Sequence, residues 1–193
     1  MRWFPLWIVF MLTACSTTPT RYYVLTAAAP SQASPAIVAH PKISIEVSQL
    51  ELPKYLDRPQ IVSHLKNNQL EISDYAQWGG RLRNNMMRLL ATNLSRALGT
   101  SQIIIAPYRP NEPATVRLMI EVIRFERMSD GIVHLDAQWR LIDGATDRSL
   151  ITRITRLQST KKVSDVADTV TEMSQLFARF SDTIADEIAA RAK

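Results

Sequence analysis

The chain has a single cysteine in 193 residues, five glycines and three histidines. One thiol cannot close an intramolecular disulfide, so stability has to come from packing. Gly79, Gly80, Gly99, Gly131 and Gly144 are scattered and form no phosphate-cradling loop, which speaks against nucleotide hydrolysis. His40, His64 and His134 have no HExxH or Cys/His ligand spacing, so no metal site is expected. There is no GxSxG elbow, although a triad assembled in space is not readable from sequence order. Asp74, Asp136 and Asp143 read as ordinary surface or turn carboxylates, and the chain reads as a binding module rather than an enzyme. Lys and Arg outnumber Asp and Glu by 23 to 18, but no interleaved basic and aromatic pattern accompanies the excess. Nucleic acid is therefore not an expected partner.

The longest apolar run, Trp3 to Leu12, is about half the roughly 20 residues that a membrane-spanning helix needs. It follows the positive Met1-Arg2, ends in the small residues Thr13-Ala14, and meets the sole cysteine, Cys15. Leu12-Thr13-Ala14-Cys15 looks like a bacterial lipobox; a plain signal peptide is the alternative. The lipobox pattern implies removal of residues 1–14, a diacylglyceryl thioether on Cys15 and an acyl chain on its amine. Two membrane signals already suffice for stable anchoring. Ser16, in place of Asp, resembles the choice that sends lipoproteins to the outer membrane, with the domain on the periplasmic face. The remaining chain carries a net charge of +4, from 22 basic and 18 acidic residues.

Residues 15–21 make a lipidated tether, and the seven steps from Cys15 to Tyr22 span at most about 25 Å. Residues 22–193 are expected to form one domain. Tyr22 to Leu25 reads as a first strand, and Thr26 to Pro41 as a mobile Ala/Ser/Pro loop. Lys42 to Leu50 alternates as a strand with one buried face. Gln60 to Lys66 and Gln69 to Ser73 flank Asn67-Asn68, a pair tolerant of positive φ, and read as a hairpin. Ile103 to Ile105 reads as a short buried strand. Ala114 to Arg127 is apolar on both faces, with Met119, Ile123 and Phe125 opposite Val116, Leu118, Ile120 and Val122, and belongs at a sheet centre. Ile132 to Ile142 and Arg148 to Thr160 complete an antiparallel meander.

Two stretches have helical period. From Trp78 through Leu82, Met86, Leu90 and Leu94 to Leu98 the steps are three or four, with Gly99 placed as a C-terminal cap. The spacing predicts a helix over about 77–98. Arg81 and Arg88 share its polar side with Arg96 nearby, as a solvated face or as a contact for anionic headgroups or a partner. The second helix, about 164–190, has Ser164 as its expected N-cap and a stripe from Val166 to Ile188. The fold class is thus α/β: a mixed, largely antiparallel sheet flanked by two main helices.

Tyr22-Tyr23-Val24-Leu25, LELPKYLDRPQIV over 50–62, Asn67-Asn68-Gln69-Leu70 and QWGGRLRNNMMRLLATNLSRAL over 77–98 together resemble the ABC-type transport auxiliary lipoproteins. The resemblance implies a domain like the amino-terminal domain of TolB and an outer-membrane lipoprotein of an intermembrane lipid-transport system. Its partners would be an MCE-type periplasmic protein with an inner-membrane permease and ATPase. It implies no cofactor beyond the covalent lipid on Cys15, and no catalytic residues. A ring of copies would suit the end of a periplasmic tunnel. An activator of a cell-wall synthase is the competing function, against which the short tether argues.

The Pro-bracketed segment is the candidate docking loop. Pro53, Tyr55, Leu56, Asp57, Arg58 and Pro59 combine rigidity with an aromatic, a cation and an anion, types suited to a protein contact. The other reading places Tyr55 and Leu56 in the core and makes Asp57-Arg58 a local ion pair.

Overall fold

A computed structural model describes residues 18–27, 42–108 and 112–191. Residues 1–14, Cys15, and 28–41 of the Ala/Pro-rich segment, with His40, lie outside them. Eight strands form one mixed sheet, and two helices cover one of its faces.

The sheet is organised around its longest strand. We number the strands β1 (Arg21–Tyr23), β2 (Ile45–Glu51), β3 (Gln60–His64), β4 (Leu70–Trp78), β5 (Ile103–Ile105), β6 (Val116–Arg127), β7 (Val133–Asp143) and β8 (Ser149–Gln158). On one side, β6, β7 and β8 form the expected antiparallel meander. On the other side β6 has two parallel neighbours in succession: β2 pairs with Val116 to Glu121, and β3 meets Arg127. β5 extends the sheet beyond β2, and β4 then β1 extend it beyond β3. The three isoleucines of β5 are half-buried rather than buried, because the strand lies at an edge.

Bulges decide which residues reach the core. In β2 the register shifts between Val47 and Gln49, so Leu50 joins Ile45 and Val47 inside. In β6 it shifts between Val122 and Arg124, which turns Phe125 to the core face with Leu118 and Val122. The two-faced reading of this strand is thereby corrected. Ile123 is 47% exposed, Met119 is half-buried, and among the described residues no helix lies over the second sheet face.

The first helix, α1, spans Leu82–Leu98 rather than beginning near 77. Gln77 and Trp78 are the end of β4, paired with Tyr22 and Tyr23, and Gly79-Gly80 makes the turn. Trp78 is buried from a strand, so its four-residue spacing to Leu82 mimicked a helical step. Gly99 closes α1 with φ 61°, as its position predicts. The second helix, α2 (Val166–Arg191), is capped by Asp165, not Ser164: its Oδ1 accepts the Asp168 N–H at 2.8 Å. Leu90 and Leu94 of α1 and Phe177, Phe180 and Ile184 of α2 are wholly buried in the core. Phe177 stands between Phe125 and Phe180 with ring centroids 6.1 and 6.0 Å away.

Candidate functional site: a pinned loop on the edge of the central strand

The segment between β2 and β3 leaves the edge of β6 after Glu51 and returns at Gln60. It is an excursion between two strands that run along the same edge. Pro53 and Pro59 account for the break, since proline donates no ladder hydrogen bond. The Pro53 carbonyl accepts the N–H of Leu56 at 2.9 Å and of Asp57 at 3.2 Å, folding the segment into a tight turn. The Pro59 carbonyl accepts the Trp78 N–H at 2.7 Å and ties the far end to β4.

Tyr55 and Leu56 hold this turn to the body. Leu56 is 3% exposed and belongs to the core. The Tyr55 hydroxyl donates to Glu126, 3.0 Å from Oε2 and 3.2 Å from Oε1. Glu126 is wholly buried near the end of β6, and it also accepts the Phe125 N–H at 3.2 Å. His64 Nδ1 lies 3.1 Å from its Oε1, and the His64 ring meets that of Tyr55 edge-on. Burial first, and the Glu126 carboxyl second, push the Tyr55 phenol well above its ordinary pKa, so it stays a donor. A carboxyl with no exposed surface cannot meet a substrate; this cluster is a clamp.

The six loop residues predicted to act together therefore divide. Tyr55 and Leu56 face inward, while Asp57 and Pro59 are exposed and Pro53 and Arg58 are half-buried. Lys54, also exposed, joins the outward set. Among the described residues Asp57 and Arg58, a local ion pair in the alternative reading, are not paired, and the buried Nε of Arg58 has no hydrogen-bond partner. Glu126 itself was not singled out from the sequence. By the strand's period Glu126 shares the phase of Val116 to Val122; the register shift before Arg124 turns it to the opposite face from Phe125, where Tyr55 of the loop lies against it.

The three arginines predicted to form one basic helix face, Arg81, Arg88 and Arg96, also separate. Arg81 precedes the first helical residue and is exposed, and Arg88 is exposed within the helix. Arg96 is half-buried and acts on Asp182 of α2, whose pKa burial raises and Arg96 lowers. Arg96 is therefore less exposed than Arg81 and Arg88 and close enough to α2 to act on Asp182.

The sheet face opposite the helices is largely polar, apart from exposed Ile123 and Ile154. Arg124 binds Asp136 across the β6–β7 ladder at 2.7 Å, and burial together with Arg124 lowers the pKa of His134. At the opposite end of β6, Arg117 bridges Glu46 at 3.2 Å and Asp147 at 2.7 Å, beside an open concavity of about 720 Å³ also lined by Met119 and Tyr108. Among the described residues no group of three metal-ligating side chains converges.

Two crystal structures share this architecture. One is of an uncharacterized protein, 22% identical with a TM-score of 0.73, covering 89% of this chain and 99% of its own. The other is a protein from Xanthomonas campestris, 15% identical with a TM-score of 0.70, covering 86% of this chain and 93% of its own. No curated protein matches the sequence. The family described as ABC-type transport auxiliary lipoprotein component matches residues 23–185, nearly the whole domain built above, and the chain belongs to that family.

Proposed function

We propose that this protein is a non-catalytic, outer-membrane-anchored accessory of an MCE/ABC-type system that moves lipids between membranes. Cys15 carries the lipid, and the domain receives the end of the partner's periplasmic tunnel. The family match over residues 23–185 carries this reading. The clamped loop supports it by supplying an outward surface that does not depend on rearrangement: Lys54, Asp57 and Pro59 are exposed on a turn whose other side is core. A preordered contact loses less conformational entropy on association than a flexible one. The lipid tether adds a second advantage, because it confines the domain to one surface and raises its effective concentration there.

In-cell crosslinking of the tagged, lipidated protein followed by mass spectrometry of the envelope tests the assignment. An MCE-type protein among the captured species is the expected result. Capture of a peptidoglycan synthase in its place would overturn the reading in favour of a cell-wall role.

A further inference from the structure

We infer that the end of the sheet bearing the β3–β4 hairpin rests on the phospholipid surface that holds the chain's own anchor, with Leu65 and Leu70 entering the interface. The inference rests on the anchored reading of Cys15.

The direction of the chain comes first. β1 runs parallel to β4, with Arg21 beside Ala76 and Tyr23 beside Trp78. Residues before Arg21 therefore approach from the side on which β4 begins, which is the hairpin end. Cys15 lies six positions before Arg21, and Leu70 lies six positions before Ala76. Six residues reach at most about 20 Å even when extended. The anchor can hold the membrane no further from Arg21 than about the height of the hairpin tip.

The tip has the side chains that such a position requires. Leu65 is 40% exposed, Leu70 37%, Ile72 43% and Tyr75 53%, all within one short hairpin. β1 pairs with β4 only from Ala76 onward, so it does not cover them. Leu70 pairs with His64, the neighbour of Leu65, so these exposed apolar side chains gather at the tip, with Ile72 behind them and Tyr75 further along β4. Exposed apolar residues gathered so mark an interaction surface.

Charge at the same end agrees. Ser63 pairs with Arg127, and the Ser159 N–H donates to the Val133 carbonyl, so the three turns after β3, β6 and β8 lie side by side. Lys66 is exposed on the first and Lys161 and Lys162 on the third, while Asp130 is exposed on the second. Lys161 is paired with Asp168 at 3.5 Å, which leaves Lys66 and Lys162, among the described residues, as the cations of this end. Lysines around an apolar tip meet anionic headgroups as their neighbours enter the interface. The β7–β8 turn, with exposed Ala145, lies at the other end of the twelve-residue β6, about 40 Å away.

The full lipidated chain, reconstituted into phosphatidylethanolamine/phosphatidylglycerol vesicles, provides the test. Gln69→Cys carries an environment-sensitive fluorophore at the tip, Ala145→Cys carries it at the far end, and acyl-brominated lipids quench it. We expect several-fold stronger quenching at 69 than at 145. Leu65→Ser with Leu70→Ser should abolish that difference while the protein still floats with the vesicles. Equal quenching at both sites in a floating protein would overturn the inference alone. A fluorophore at 69 that is shielded without vesicles, in proportion to protein concentration, would do the same by assigning the surface to a second copy. A chain that does not float would overturn the anchor, and the inference with it.

Discussion

At the scale of single residues, Glu126 is the group on which the candidate site depends. It is wholly buried and takes donors from Tyr55 and the Phe125 backbone, with His64 Nδ1 at 3.1 Å. Removing one donor from a buried acceptor exposes its desolvation cost. Tyr55→Phe should therefore destabilise the domain by about 1–3 kcal/mol in urea unfolding. An unchanged midpoint would contradict the clamp. His134 supplies a pH dependence. Its pKa lies below the ordinary 6.5, because burial and Arg124 disfavour the charged ring. The unfolded chain then binds the extra proton more readily, so this contribution to stability is lost as pH falls through about 6.5. His134→Gln should flatten the stability profile over that window, and a steeper profile in the variant would contradict the assignment.

At the scale of elements, the long periodic segments were legible in the sequence and the phase changes were not. The alternation of Val133 to Leu141 and the stripe from Val170 to Ile188 correspond to buried residues, with Val166 half-buried at the helix start, because no bulge interrupts them. In β6, a one-residue shift between Val122 and Arg124 moved Phe125 to the core face and left Ile123 on the exposed one, which period alone does not reveal. Trp78 failed for another reason: its burial is the same in a strand as in the helix it was assigned to. The β7–β8 connection shows how closely turns are fitted. A Cβ on Gly144 would stand 1.7 Å from the Ala114 carbonyl oxygen, backbone that cannot swing aside. Gly144→Ala should cost about 3 kcal/mol, the upper end of overpacking penalties. Thermal melting measures it; a near-neutral variant would show that this edge of the sheet is free to move.

At the scale of the whole molecule, anchor, domain and loop form one arrangement. The chain from β1 is fastened to α1, where Asn85 Oδ1 accepts the Leu25 N–H at 2.7 Å and its Nδ2 donates to the Leu25 carbonyl at 3.2 Å. On the proposed anchoring, a pull on the chain before β1 would be passed to the core rather than to a loose end. The candidate loop was legible as a segment because its prolines stand out, but not as two surfaces, since the partners of Tyr55 lie 71 residues away in β6. Equally, the hairpin was legible from Asn67-Asn68, both with φ near 61°, whereas its place at the end of the sheet from which β1 enters required the parallel β1–β4 pairing.

The most direct measurement is position-resolved photo-crosslinking in the intact envelope, with a photoreactive amino acid at Asp57 and, for comparison, at exposed Thr171 on α2. The account predicts that position 57 captures an MCE-type protein and position 171 does not. Capture at 171 alone, or of a cell-wall synthase at 57, would contradict it.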